Sequence, residues 1–161
     1  SLESSHRPPS IGVFSIATNR YADYWMAMAR TADAHLFVGH EVVLTVFTDR
    51  IDAIRRFQSE LTRIQVQPIR IESLAWPAAP LAKFRVLVDH QKDLGHDILM
   101  HLDADKRVAP AAKWNLRPES WQGGLAFVRH PGFRRPPRPL KSGFYTRHPG
   151  FVARDLYRQA L

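Results

Sequence analysis

The chain has 161 residues, 45% of them hydrophobic, with 23 Lys and Arg against 15 Asp and Glu for a net charge of +8. That apolar content excludes a disordered polyelectrolyte, and the length suits one compact domain. With no Cys, a disulfide framework, a thiolate zinc site and a cysteine nucleophile are all excluded. No stretch approaches the roughly 18 apolar residues that a membrane span needs, and the polar start lacks the apolar core of a signal peptide. A cytoplasmic protein, or one peripheral to a membrane, is expected.

Residues 1–10 carry two prolines and no apolar pattern and read as a disordered leader. Ile11 to Ile16 is short, apolar and partly β-branched, as a buried strand is. From Tyr21 the period changes to that of a helix, with Tyr21, Tyr24, Trp25, Met28, Ala29, Ala32, His35 and Leu36 on one face and Gly39 as the stop. Glu41 to Phe47 predicts a second buried strand that ends in Thr48-Asp49. Ile51, Ile54, Phe57 and Leu61 mark a short amphipathic helix, and Arg63 to Ile69 alternates as a half-buried strand does. Trp76-Pro77 and Pro80 interrupt the chain before a third helix, expected over 81–93, with Leu81, Phe84, Leu87 and Val88 as its apolar residues. Asp97 to Leu102 predicts a further strand that runs into Asp103-Ala104-Asp105, and Gly124 to Val128 another.

Strands alternating with helices predict an α/β fold with a mostly parallel central sheet. In such sheets ligands bind beyond the carboxyl ends of the strands. Those ends carry Ser15 to Thr18, Thr48-Asp49 and Asp103 to Asp105, which makes one polar edge.

The charge is unevenly placed. Arg129, Arg134, Arg135, Arg138, Lys141, Arg147, Arg154 and Arg158 face only Asp155 in residues 129–161, so that segment carries +7 of the +8. It also holds five of the 12 prolines. Arg and aromatic residues interleave there, as in single-strand binders, but no RNA-binding motif is present, which argues against nucleic acid. A solvated basic end and a peripheral membrane contact are the competing readings. The division expected is a leader over 1–10, an α/β domain over 11–133 and a basic, Pro-rich segment over 134–161.

Asp103-Ala104-Asp105 is the sharpest chemical signal. Two carboxylates two residues apart at a strand end can share a hard divalent cation, Mn²⁺ or Mg²⁺, whose other positions go to phosphates and water. The plainer alternative is a turn with two solvated Asp. His101 extends the pattern to a hydrolytic metal set, or is a strand residue packing on the sheet. Lys83, after Trp76-Pro77 and Leu81, either meets bound phosphates or carries its ammonium out to water. No G-x-S-x-G, P-loop, G-x-G-x-x-G or H-E-x-x-H occurs, so the usual serine-hydrolase, ATP, NAD and metalloprotease chemistries find no support.

Six segments in order resemble one family, the glycosyltransferases related to the histo-blood-group A/B transferases and α-1,3-galactosyltransferase (glycosyltransferase family 6), with its shorter bacterial members. They are Ile16 to Tyr21, Thr31 to His40, Val46 to Asp49, Trp76-Pro77 with Leu81 to Phe84, Leu102 to Asp105 as its D-x-D motif, and His130 to Phe133. The resemblance implies a GT-A-type nucleotide-diphospho-sugar transferase fold. It implies retaining transfer of galactose or N-acetylgalactosamine from a UDP-sugar to a galactoside or oligosaccharide acceptor. By the same resemblance Ile16, Ala17, Thr18 and Tyr21 hold uracil and ribose, and Lys83 replaces the family's usual Arg. Asp103, Ala104 and Asp105 form the donor and metal motif, with the two Asp on Mn²⁺, and His130 touches the acceptor. The family's Gly-rich acceptor segment and catalytic Glu would fall past Leu161, so the resemblance implies a donor-binding portion in which no acid takes the catalytic role. The alternative from another class is a non-catalytic module that engages polyanions through the basic end.

Overall fold

The structure is a computed structural model, and it describes residues 8–75 and 78–110. The apolar segment at Ile11–Ile16 forms β1, buried along nearly its whole length. There follow α1 (Tyr21–His35), β2 (Val42–Thr48), α2 (Ile51–Phe57) with a 3-10 turn at Gln58–Glu60, β3 (Gln65–Arg70), α3 (Ala78–Asp89) and β4 (Ile98–His101). The strands make one four-stranded sheet in the order β3-β2-β1-β4, with every pair parallel. This α/β arrangement is compatible with a Rossmann-like fold. The expected strand at Gly124 to Val128, His130 and the basic segment lie outside the described residues, as do Trp76 and Pro77.

The order explains where the helices go. The steps β1 to β2 and β2 to β3 walk the same way across the sheet, so right-handed crossovers put α1 and α2 on one face. Trp25 of α1, fully buried, meets Phe57 of α2 edge-on with ring centres 6.0 Å apart. The step from β3 to β4 passes back over the sheet to the far side of β1, and the same handedness puts α3 on the other face. There Val86 packs with Phe14, Phe47 and Leu94, and Ala82 and Leu87 border them.

Gly12 shows how closely that second face is packed. A Cβ at Gly12 would lie 2.2 Å from Cδ2 of His96 in the turn before β4, so only the bare backbone admits the ring. Pro68 lacks an N–H to give to a neighbour and sits in β3, an edge strand, where that loss is tolerated.

Two boundaries and one face differ from expectation. The first helix ends at His35, before Gly39. Leu36 turns extended (φ −80°, ψ 121°) and is fully buried, and Phe37 takes a positive φ of 45°. The carbonyls of Ala32, which also accepts the Leu36 N–H at 2.8 Å, and of Leu36 accept hydrogen bonds from Arg63 Nη2 at 2.9 and 2.7 Å, so a cation and not a glycine closes this helix. The third helix begins three residues earlier than expected, because Pro80 falls in its first turn, where no helical acceptor for an N–H exists. It ends at Asp89, and the turn of residues 90–94 follows. Its apolar stripe also needs correcting. Leu81, Phe84 and Val88 share one side of α3 but are 58%, 67% and 65% exposed, whereas Ala82, Val86 and Leu87 face the sheet.

Candidate functional site

In this sheet order the chain reverses direction between β1 and β4, and a crevice at such a switch point opens beyond the strands' carboxyl ends. The residues expected to carry chemistry stand on its two sides. Ile16, Ala17 and Thr18 leave β1, and Asp103, Ala104 and Asp105 leave β4. The two ends are tied directly: Leu102 N–H donates to the Phe14 carbonyl at 3.1 Å, and Ser15 Oγ donates to the Leu102 carbonyl at 2.6 Å.

On the β1 side the backbone is held before any ligand arrives. Ala17 N–H donates to the Phe47 carbonyl at 2.9 Å. Thr18 is buried, and its hydroxyl donates to the Leu74 carbonyl at 3.1 Å and accepts from the Leu74 N–H at 3.2 Å. Ala17 and Thr18 therefore fix the loop from beneath, and what the segment shows to solvent is Asn19, Arg20 and part of Tyr21. Asn19 has a positive φ of 55°, a backbone state that Asn tolerates better than most residues. Two partners hold it: its N–H donates to Asp49 Oδ1 at 2.9 Å, and Ser73 Oγ donates to its Oδ1 at 2.8 Å. Arg50 Nη1 completes the ring by donating to Asp23 Oδ1 at 2.8 Å. Thus Asn19, Asp49 and Ser73 lock together the ends of β1, β2 and β3. Of these, sequence reasoning singled out only Asp49. The available signal for Asn19 was an Asn in the short connection between a strand and a helix, two residues before the helix begins.

On the β4 side, Asp103 to Lys106 forms a turn closed by the Lys106 N–H donating to the Asp103 carbonyl at 3.2 Å. Ala104 is 4% exposed, so this small side chain anchors the turn while both Asp side chains stay exposed. Downstream, Val108 is buried and its N–H donates to Thr31 Oγ1 of α1 at 3.0 Å. The turn is therefore held at both ends.

Its charges form one cluster. Lys106 Nζ is 2.9 Å from Asp105 Oδ1 and 4.0 Å from Asp103 Oδ2, while His101 Nε2 is 3.8 Å from Asp103 Oδ1. The hydrogen bond to Asp105 raises the Lys106 pKa against the opposing effect of burial, and the charges of Asp105 and Asp103 add to the rise. Burial lowers the pKa of His101, whose ring packs against Phe14 with centres 5.0 Å apart. Asp103 opposes that lowering, and the positive charge of Lys83 adds to it. Lys83 on α3 is half-buried while its neighbour Phe84 is exposed.

The Lys106 ammonium lies within 4.0 Å of both carboxylates, so a single positive charge can face the pair. Two carboxylates with phosphate and water completing the shell is an ordinary Mg²⁺ or Mn²⁺ arrangement. Among the described residues no group of three or more His, Asp or Glu is arranged to hold a metal by protein ligands alone. No helix among the described residues is long and apolar enough to cross a membrane. No family model matches the chain, and no curated protein matches it.

Proposed function

We propose that the chain binds the nucleotide-diphospho-sugar donor of a glycosyltransferase, with a GT-A-type fold and a D-x-D-bound Mn²⁺ or Mg²⁺. The observation that carries this reading is the switch in strand order between β1 and β4, with the exposed Asp103 and Asp105 following β4 and Asn19 and the half-buried Tyr21 following β1. The ordered family-like segments supply the rest. The donor is a UDP-sugar, galactose or N-acetylgalactosamine is transferred to a galactoside with retention, and His130 touches the acceptor.

In this reading Asp103 and Asp105 hold the cation, which when bound offsets the charge of the diphosphate leaving group. Ala104 keeps the turn seated so that both carboxylates stay outside. Lys83 adds a positive charge from α3. As a Lys it gives a point charge and not the planar two-pronged contact of an Arg, so its hold on phosphate is less directional. The backbone of Ile16 to Thr18, fixed by Leu74 and Phe47, and the ring of Tyr21 form the nucleoside side.

Calorimetric titration of UDP, with and without Mn²⁺, tests the proposal. Binding should require the ion and should fall at least about tenfold in Asp103→Ala, the loss expected when a charged metal ligand is removed. Binding that is indifferent to Mn²⁺, or unchanged in that variant, refutes it.

A further inference from the structure

Lys106 is the residue that the proposed chemistry does not use. It follows the D-x-D pair directly, and the turn from Asp103 folds its side chain back over the two carboxylates. A cation shared by Asp103 and Asp105 would have to sit on the side of the pair that the ammonium now takes. Like charges at that spacing repel, and an ammonium offers no lone pair to a metal. The backbone on either side is tied down, by Ser15 to Leu102 and by Val108 to Thr31. The conflict is therefore resolved by side-chain rotation and not by opening of the turn. Arg107 differs from its neighbour. Its Nη1 donates to the carbonyls of Lys106 at 2.6 Å and Tyr24 at 3.4 Å, and no ion pair joins it to either Asp among the described residues.

We infer that Lys106 is a built-in competitor for the divalent cation: its ammonium pairs with Asp103 and Asp105 and must swing away before the ion can bind. The inference rests on the reading of the D-x-D turn as a metal site, and it assigns Lys106 the role of setting that site's affinity. The effect is bounded, because Lys106 is 54% exposed and exposed ion pairs are weak. Removing the competitor should tighten the cation by about threefold to tenfold, the size set by two such pairs and the lifted repulsion.

The test is a Mn²⁺ titration of the whole 161-residue chain without nucleotide, read by the loss of the free-ion electron paramagnetic resonance signal. Lys106→Gln should bind Mn²⁺ about threefold to tenfold more tightly than wild type, as two exposed ion pairs allow. Lys106→Arg, which keeps the charge, should stay near wild type. Arg107→Gln removes the same formal charge one residue on and should change affinity by less than about twofold, since its contribution is only the screened long-range field. An unchanged or weaker Lys106→Gln overturns the inference, and so does an equal gain in Arg107→Gln. Absence of Mn²⁺ binding in both wild type and Lys106→Gln overturns the metal site with it. If the Lys106 effect appears but UDP fails to bind, the inference stands and the donor reading falls. A circular-dichroism melt of each variant checks folding, and Lys106 contributes no buried contact whose loss would unfold the chain.

Discussion

Replacing Asp33 by Ala should weaken the fold more than any other single change of a partly exposed acid among the described residues. Asp33 lies in the last turn of α1, and its carboxylate accepts four hydrogen bonds from the approach to β3. They come from Thr62 N–H and Thr62 Oγ1 at 3.0 Å each, and from the N–H groups of Arg63 and Ile64 at 2.8 Å each. The two from Thr62 are exposed and water can replace them, so about 0.5 kcal/mol each is a fair value. The other two are partly buried and would be left short of a partner, at about 1 kcal/mol each. The loss expected is about 3 kcal/mol near neutral pH, a large share of the stability of a small domain. The pH dependence gives a second handle. Burial pushes the Asp33 pKa up, but the hydrogen bonds from Thr62, Ile64 and Arg63 outweigh it and hold the carboxyl below its ordinary 3.8. A carboxyl with a lowered folded pKa contributes stability above its unfolded value and loses it as pH falls through the folded one. The gap between wild type and Asp33→Ala should therefore be full above the ordinary carboxyl pKa and shrink as pH falls through the lowered folded one. Urea unfolding followed by far-UV circular dichroism at several pH values measures it. A gap below about 0.5 kcal/mol near pH 7, or one that does not shrink in acid, would refute the reasoning.

Other expectations follow from the packing. Gly12→Ala should cost about 1–3 kcal/mol through overpacking against His96, and His96→Ala should recover much of that loss in a double-mutant cycle. Additive effects there would count against the contact. On α3, Phe84→Ser should change stability by less than about 0.5 kcal/mol, as a surface substitution does. By contrast Val86→Ala should cost about 1–2 kcal/mol from the core. The reverse ranking in urea melts would restore the face that the sequence suggests.

The alternation of β-branched runs with helical periods was enough to read the parallel sheet and to bring Ser15 to Thr18 and Asp103 to Asp105 to one edge. It could not assign the inner face of α3. Of the expected apolar residues Leu81, Phe84, Leu87 and Val88, Leu87 packs on the sheet, but Ala82 and Val86, and not the other three, join it there. What decides is which side of α3 the crossover from β3 to β4 turns toward Phe14 and Phe47, a long-range relation that the local pattern does not carry. Closure of α1 was illegible for a related reason: Arg63 reaches back from the approach to β3, about thirty positions along the chain, and local capping rules see only neighbours. The same holds for the lock of Asn19 by Asp49 and Ser73, which needs three strand ends in register. Lys106 was in plain view beside the D-x-D pair, but only the turn geometry gives its ammonium to both carboxylates.

The tie between Ser15 and Leu102 also bears on how the chain folds. β1, β2 and β3 join through short crossovers, so their pairing closes modest loops. The hydrogen bond from Ser15 to Leu102 spans 87 positions, as does that from Ser10 to Asp97 at the other end of the same strand pair. Even with β1 to β3 already paired, docking β4 closes the connection from Arg70 to Ile98, the longest between these strands, and returns only a four-residue strand. β4 is therefore expected to dock last. Both lips of the crevice exist only after that event, so a ligand that bridges them would select chains that have finished folding and hold the latest-formed strand in place.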